Sequence, residues 1–140
     1  MRAPADIAVY DENDQISALV EVRAVPESSS EWATEIRREI VEEGEFTPNC
    51  FLVVARDFTY IWTFPVSPEN LPNEIVATDE LFDKYLRHIE SNGQLISPGS
   101  LELMVGIWLS DLAQTDEPSA SRLGLSSVVA NGRVEFLAAA

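Results

Sequence analysis

The sequence predicts a mixed α/β (α+β) domain with a small central sheet flanked by helices. The β-rich runs Ile7-Ala8-Val9-Tyr10, Ala18-Leu19-Val20-Glu21-Val22 and Phe51-Leu52-Val53-Val54-Ala55 are too short for helices and suit strands. Elsewhere apolar residues recur at helical spacing: Trp32, Ile36 and Ile40, then Leu101, Met104, Ile107, Trp108 and Leu112. A chain of 140 residues is one domain's worth and long enough for one sizeable core. We place that domain at 1–140, with a core over about residues 4–64 and helical and strand additions over about 78–140.

The first two runs flank the polar turn Asp11-Glu12-Asn13-Asp14-Gln15 and read as a hairpin. The turn is rich in carboxylates but lacks the glycine and distal Glu of an EF-hand calcium loop. Ser28 and Glu31 have capping-box spacing, or Ser30 caps directly, and the helix runs to about Glu43 with Gly44 as its stop. The opposite helix face carries Glu35, Arg38, Glu39 and Glu42. Phe51–Ala55 is an unbroken apolar run, the pattern of a strand covered on both faces. Arg56-Asp57 leads into an antiparallel strand over Thr59–Phe64, and Pro65–Pro72 is a proline-bearing loop.

Thr78 caps a helix containing Leu81, Phe82, Tyr85, Leu86 and Ile89, ended by Asn92-Gly93. Ser97 or Ser100 starts the next helix, and Gln114–Ser121 is a loop or linker. Asn131-Gly132 either turns a hairpin between Ser127–Val129 and Val134–Leu137, or stops a short helix before a final strand.

Composition removes several classes of function. One Cys and one His exclude an internal disulfide and a self-contained Cys/His zinc site. Cys50 opens an apolar strand and reads as a packing residue, and His88 has no Ser or Cys motif to serve as a triad base. Nothing near Met1 resembles a signal peptide and no apolar run is long enough for a bilayer, so the expectation is a soluble cytoplasmic protein without a membrane partner. There are 24 acidic and 9 basic residues, giving a net charge of −15, and Lys84 is the only lysine. Such a surface repels nucleic acid at long range, so any contact falls to Arg23, Arg37 and Arg38 or to a partner. Trp32, Trp62 and Trp108 lie in apolar patterns and read as core residues.

Chemistry concentrates in the hairpin. Glu21 and Arg23 are two apart on one strand and share a face, while Val22 points to the other. With Asp6 at the matching end of the first strand, two carboxylates and a cation converge, an arrangement able to hold a hard divalent cation beside a water or phosphate. The plain alternative is a same-face ion pair between Glu21 and Arg23 on an exposed side of the hairpin.

Pro4-Ala5-Asp6 followed by Glu21-Val22-Arg23, then an amphipathic helix and an apolar strand, resembles the restriction-endonuclease-like, or PD-(D/E)XK nuclease, superfamily, in particular small bacterial members without an assigned function. The resemblance covers roughly Pro4 to Trp62. It implies a restriction-endonuclease-like core, Mg²⁺ or Mn²⁺ held by Asp6, Glu21 and the Val22 carbonyl, and phosphodiester hydrolysis with Asp6, Glu21 and Arg23 as the catalytic set. It also allows Glu35 and Arg38 to approach the site, against their reading as a solvated helix face.

The chain departs from the family twice. Arg23 stands where the family has Lys, and a guanidinium with a pKa above about 12 cannot act as a base. The acidic helix usual ahead of the first core strand has no room before Asp6, which implies a truncated or unusual version. The expectation is therefore a nuclease-like domain with a residual metal site and weak or lost hydrolysis, binding nucleic acid weakly. The alternative is a non-catalytic module of the same fold that binds a protein partner or forms a homodimer.

Overall fold

The computed structural model describes residues 5–44, 48–63, 67, 70–90, 98–114, 124–125 and 129–137, with backbone alone for 88–90 and 98. Among them are the strands β1 (Ile7–Tyr10), β2 (Ile16–Arg23), β3 (Cys50–Ala55), β4 (Phe58–Trp62), β5 (Glu74–Ala77) and β6 (Arg133–Phe136). The helices are α1 (Ser30–Gly44), α2 (Thr78–Leu81), α3 (Asp83–Glu90) and α4 (Pro98–Gln114). The fold is mixed α+β: one six-stranded sheet in the order β5-β4-β3-β2-β1-β6. Only β2 and β3 run parallel, joined by the crossover through α1.

The alternation of side chains along β2 explains why both sheet faces need a cover. Ala18, Val20 and Val22 join Ile7, Val9, Leu52 and Val54 on the face packed by α4, where Leu101, Met104, Val105, Trp108 and Leu112 are buried. Leu19 joins Ala8, Phe51, Val53, Tyr60 and Trp62 on the other face, against Ala33, Ile36, Ile40 and Val41 of α1. Every residue of β3 is buried, as its unbroken apolar run requires.

Several local expectations change. Ser29, not Ser28 or Ser30, caps α1: its hydroxyl accepts the Trp32 amide at 3.1 Å. Ser28 is instead engaged by Asp57. Trp32 is only half-buried, because the stripe that faces the sheet is turned by one residue and includes Arg37. Arg37 lies over the Trp62 ring, 5.2 Å from its centroid, and donates to the Ser67 carbonyl at 3.1 Å. Its apolar stem fills core space while the guanidinium meets a π face, so Arg37 is not a surface contact for nucleic acid.

Thr78 starts α2 without capping it. Its hydroxyl donates to the Ala55 carbonyl at 2.7 Å and meets Thr59 at 3.0 Å, tying the helix to the sheet. The helix expected after Thr78 is broken into α2 and α3. The unexpected strand β5 precedes it, half-exposed at the sheet edge. Asn131 has a positive φ of 58°, and the final strand β6 pairs with β1; Ser127 and Val128, on which the two alternatives for the preceding segment turn, lie outside the described residues. Asn92-Gly93, Ser97 and the loop over 115–121 lie outside the described residues.

Asp57 gathers three of these elements. Its carboxylate accepts the Ser28 amide at 2.8 Å, the Ser28 hydroxyl at 2.5 Å and the Phe58 amide at 2.8 Å, while its carbonyl accepts the Thr78 amide. Burial opposes its ionisation, but the hydrogen bonds from Ser28 and Phe58 prevail and hold it below the ordinary value. Asp57→Ala should cost about 1–3 kcal/mol in urea unfolding by stranding these donors. Because the folded pKa is depressed, that stability is present above about pH 4 and fades as pH falls through the folded value. The variant should show a shallower acid limb, and an unchanged limb would refute the assignment.

Candidate functional site

Asp6 immediately precedes β1: its amide donates to the carbonyl of Val20, the strand partner of Ile7, at 3.1 Å, and its carbonyl accepts the Leu137 amide at 2.8 Å. One Asp6 oxygen accepts the Val22 amide at 2.8 Å, which anchors the carboxylate at the end of β2.

Glu21 is 3% exposed. Arg23 donates to a single Glu21 oxygen, Oε2, through Nε at 2.8 Å and Nη2 at 2.7 Å. The Arg23 side chain is itself 43% exposed, so it closes the carboxyl pair from the solvent side. The ion pair expected between Glu21 and Arg23 therefore exists, but its carboxylate is buried rather than on an open hairpin face. Burial pushes the Glu21 carboxyl up to about 7; the neighbouring Asp6 charge acts in the same direction, and Arg23 offsets part of the rise.

A third carboxyl bears on the site. Glu102, on α4, is raised first by burial and then by the charge of Asp6. Sequence reasoning missed it because α4 is reached from the far end of the chain. The available signal was its composition: Glu102 and Asp111 are the only charged residues in an otherwise apolar or small helix. Glu35 and Arg38 do not join the site. They pair with each other on the outer face of α1, and Arg38 also reaches Glu42 at 3.7 Å.

Among the described residues no group of three or more His, Cys, Asp or Glu stands close enough together to hold a metal ion. The oxygen donors at this end of β2 are the Asp6 and Glu21 carboxylates and the Val22 carbonyl. That carbonyl faces the same edge as the Val22 amide bonded to Asp6, since one residue's N–H and C=O share an edge. Such a set supplies about half the shell of a six-coordinate cation and leaves the rest to water. Cys50 is buried, and its thiol is pushed up to about 12, far from a nucleophile's range. The His88 side chain lies outside the described residues.

Compared with protein-family models, curated proteins and solved structures, the chain matches none. Among the described residues no helix is long and apolar enough to cross a membrane.

Glu21 gives the protein a pH signature. With a folded pKa of about 7 against an ordinary 4.5, the folded state holds its proton longer than the unfolded chain. Stability is then full below about pH 4.5 and declines by on the order of 3 kcal/mol as pH rises to about 7. Glu21→Gln should flatten this segment of the stability–pH curve, measured by denaturant unfolding. An identical slope in wild type and variant would show that the proton resides elsewhere.

Proposed function

We propose that this chain is a nuclease-like domain of restriction-endonuclease-like ancestry that retains a weak divalent-metal site, with phosphodiester hydrolysis weak or lost. The observation that carries the reading is the Asp6 carboxylate anchored on the Val22 amide next to the buried Glu21, with Arg23 bonded to Glu21. A buried carboxyl in an apolar strand costs free energy unless it has a role or a partner. Here the partnership is incomplete, since Glu21 stays raised despite Arg23. The order β1, β2, α1, β3 with β2 parallel to β3 supports the same ancestry.

Mg²⁺ or Mn²⁺ would be held by Asp6, Glu21 and the Val22 carbonyl, and would supply Lewis-acid polarisation of a phosphate or water. Binding requires an ionised Glu21, so affinity should rise as pH passes about 7. Arg23 competes with it, because both of its contacting nitrogens lie on the Glu21 Oε2 oxygen. A guanidinium is also a poor base for an attacking water, whereas a lysine amine is a better one.

A non-catalytic interaction module is the second reading. The outward residues Glu31, Glu35, Glu39, Glu42 and Glu43 of α1 favour it, as does the burial of Arg37. These features leave the −15 net charge poorly matched to a phosphate backbone. Binding to plain duplex DNA should accordingly be weak and vanish with salt in a gel shift. Tight, salt-resistant binding would refute this charge assignment.

Titration of the purified chain with Mg²⁺ and Mn²⁺ tests the leading reading. Binding should be weak in wild type, strengthen in Arg23→Lys and disappear in Asp6→Ala. Arg23→Lys should also raise any Mn²⁺-dependent DNA cleavage above wild type, and adding Glu21→Ala should remove that gain. If all variants stay silent with native circular dichroism, the interaction-module reading replaces the nuclease one.

A further inference from the structure

We infer that β6 is a self-complementary sheet edge through which two copies of this chain pair, independently of the function proposed for Asp6 and Glu21. Among the described residues β6 has β1 as its single neighbour and ends the sheet. The Leu137 amide donates to the Asp6 carbonyl at 2.8 Å. Antiparallel pairs alternate, so Glu135 also faces β1, while the amide and carbonyl of Val134 and Phe136 point outward along the open edge.

Edges of this kind usually carry charges that prevent pairing. Here the charges alternate in sign: Arg133 and Glu135 lie two apart on one face, both exposed and 3.4 Å from each other. A two-fold axis through Val134 sets Val134 against its equivalent, with their outward amides and carbonyls exchanged. It also sets each Arg133 against the other copy's Glu135. Opposite charges in directly facing positions stabilise a strand pair. The same edge sequence is therefore attractive to itself despite the net charge of each chain.

An apolar flank lies on the α4 side of this axis. Phe136 is 50% exposed, and its ring lies so close over Gly106 that a Cβ there would come within 2.1 Å of it. Leu103 and Ile107, 56% and 46% exposed, extend the surface along α4. Pairing of the edges brings two such flanks together. Four-residue strands and three side chains per copy belong to the small end of specific interfaces, below roughly 1,200 Å² in total, so the dimer should be reversible and concentration-dependent.

Sedimentation equilibrium of the full chain from micromolar to millimolar concentration tests this. Wild type should pass reversibly from monomer to dimer. Arg133→Glu and Glu135→Arg should each weaken the dimer by about tenfold, and the two together should restore most of the affinity. Val134→Pro removes an outward donor without touching the bonds to β1, so it should give a monomer with native circular dichroism. A wild type monomeric throughout the range, a dimer untouched by Val134→Pro, or a charge swap that fails to rescue would each overturn the proposal.

Discussion

The double coverage of β2 and β3 is the constraint from which the remaining structure follows. A parallel pair at the centre of a sheet needs a crossover, which α1 provides on one face, and that leaves the other face to be closed by α4. Once both faces are closed, a polar residue inside β2 is taken out of water, while Arg23 at the strand's end stays partly exposed. Glu21 is such a residue, and its neighbourhood is the response: Asp6 held on the adjacent Val22 amide, and Arg23 bonded to one of its oxygens. The site lies at the end of β2, beside the fully buried β3.

Much of this was legible because it depended on local chemistry. The hairpin around Asp11, the buried character of Phe51–Ala55 and the shared face of Glu21 and Arg23 follow from period-two alternation and turn composition. The face of α1 was harder to read. Arg37 occupies a core position because a long apolar stem can fill space against Trp62, which a rule placing charge outside cannot anticipate. The strand β5 was hidden because Glu-Ile-Val-Ala is a weak pattern at a half-exposed edge, where pairing to β4 rather than alternation defines the strand. Glu102 stands out in the composition of α4, but its relation to Asp6 is non-local, so no local pattern ties the two together.

β1 is flanked by β2 on one side and by β6 on the other, and Asp6, just ahead of it, accepts the Leu137 amide through its carbonyl. Spatial order differs from chain order here: α4 and β6 occupy positions beside β1 although they come last. A fold can thus supply a neighbour to a strand from either terminus, provided the sheet order closes.

The identity of residue 23 bears on what such a site can do. A lysine ammonium is a compact charge whose pKa falls when it is desolvated or set beside a cation, so it can exchange a proton with water. Arginine spreads its charge over a planar fork that stays protonated and favours multiple donors to one carboxylate. Arg23 places two nitrogens on one Glu21 oxygen and remains partly exposed. That geometry offsets part of the cost of burying the Glu21 carboxyl, which burial and Asp6 still hold above its ordinary value. Under the nuclease-like reading proposed above, the Arg23–Glu21 ion pair therefore competes with a cation for the same carboxyl, and residue 23 is the position at which the two roles separate.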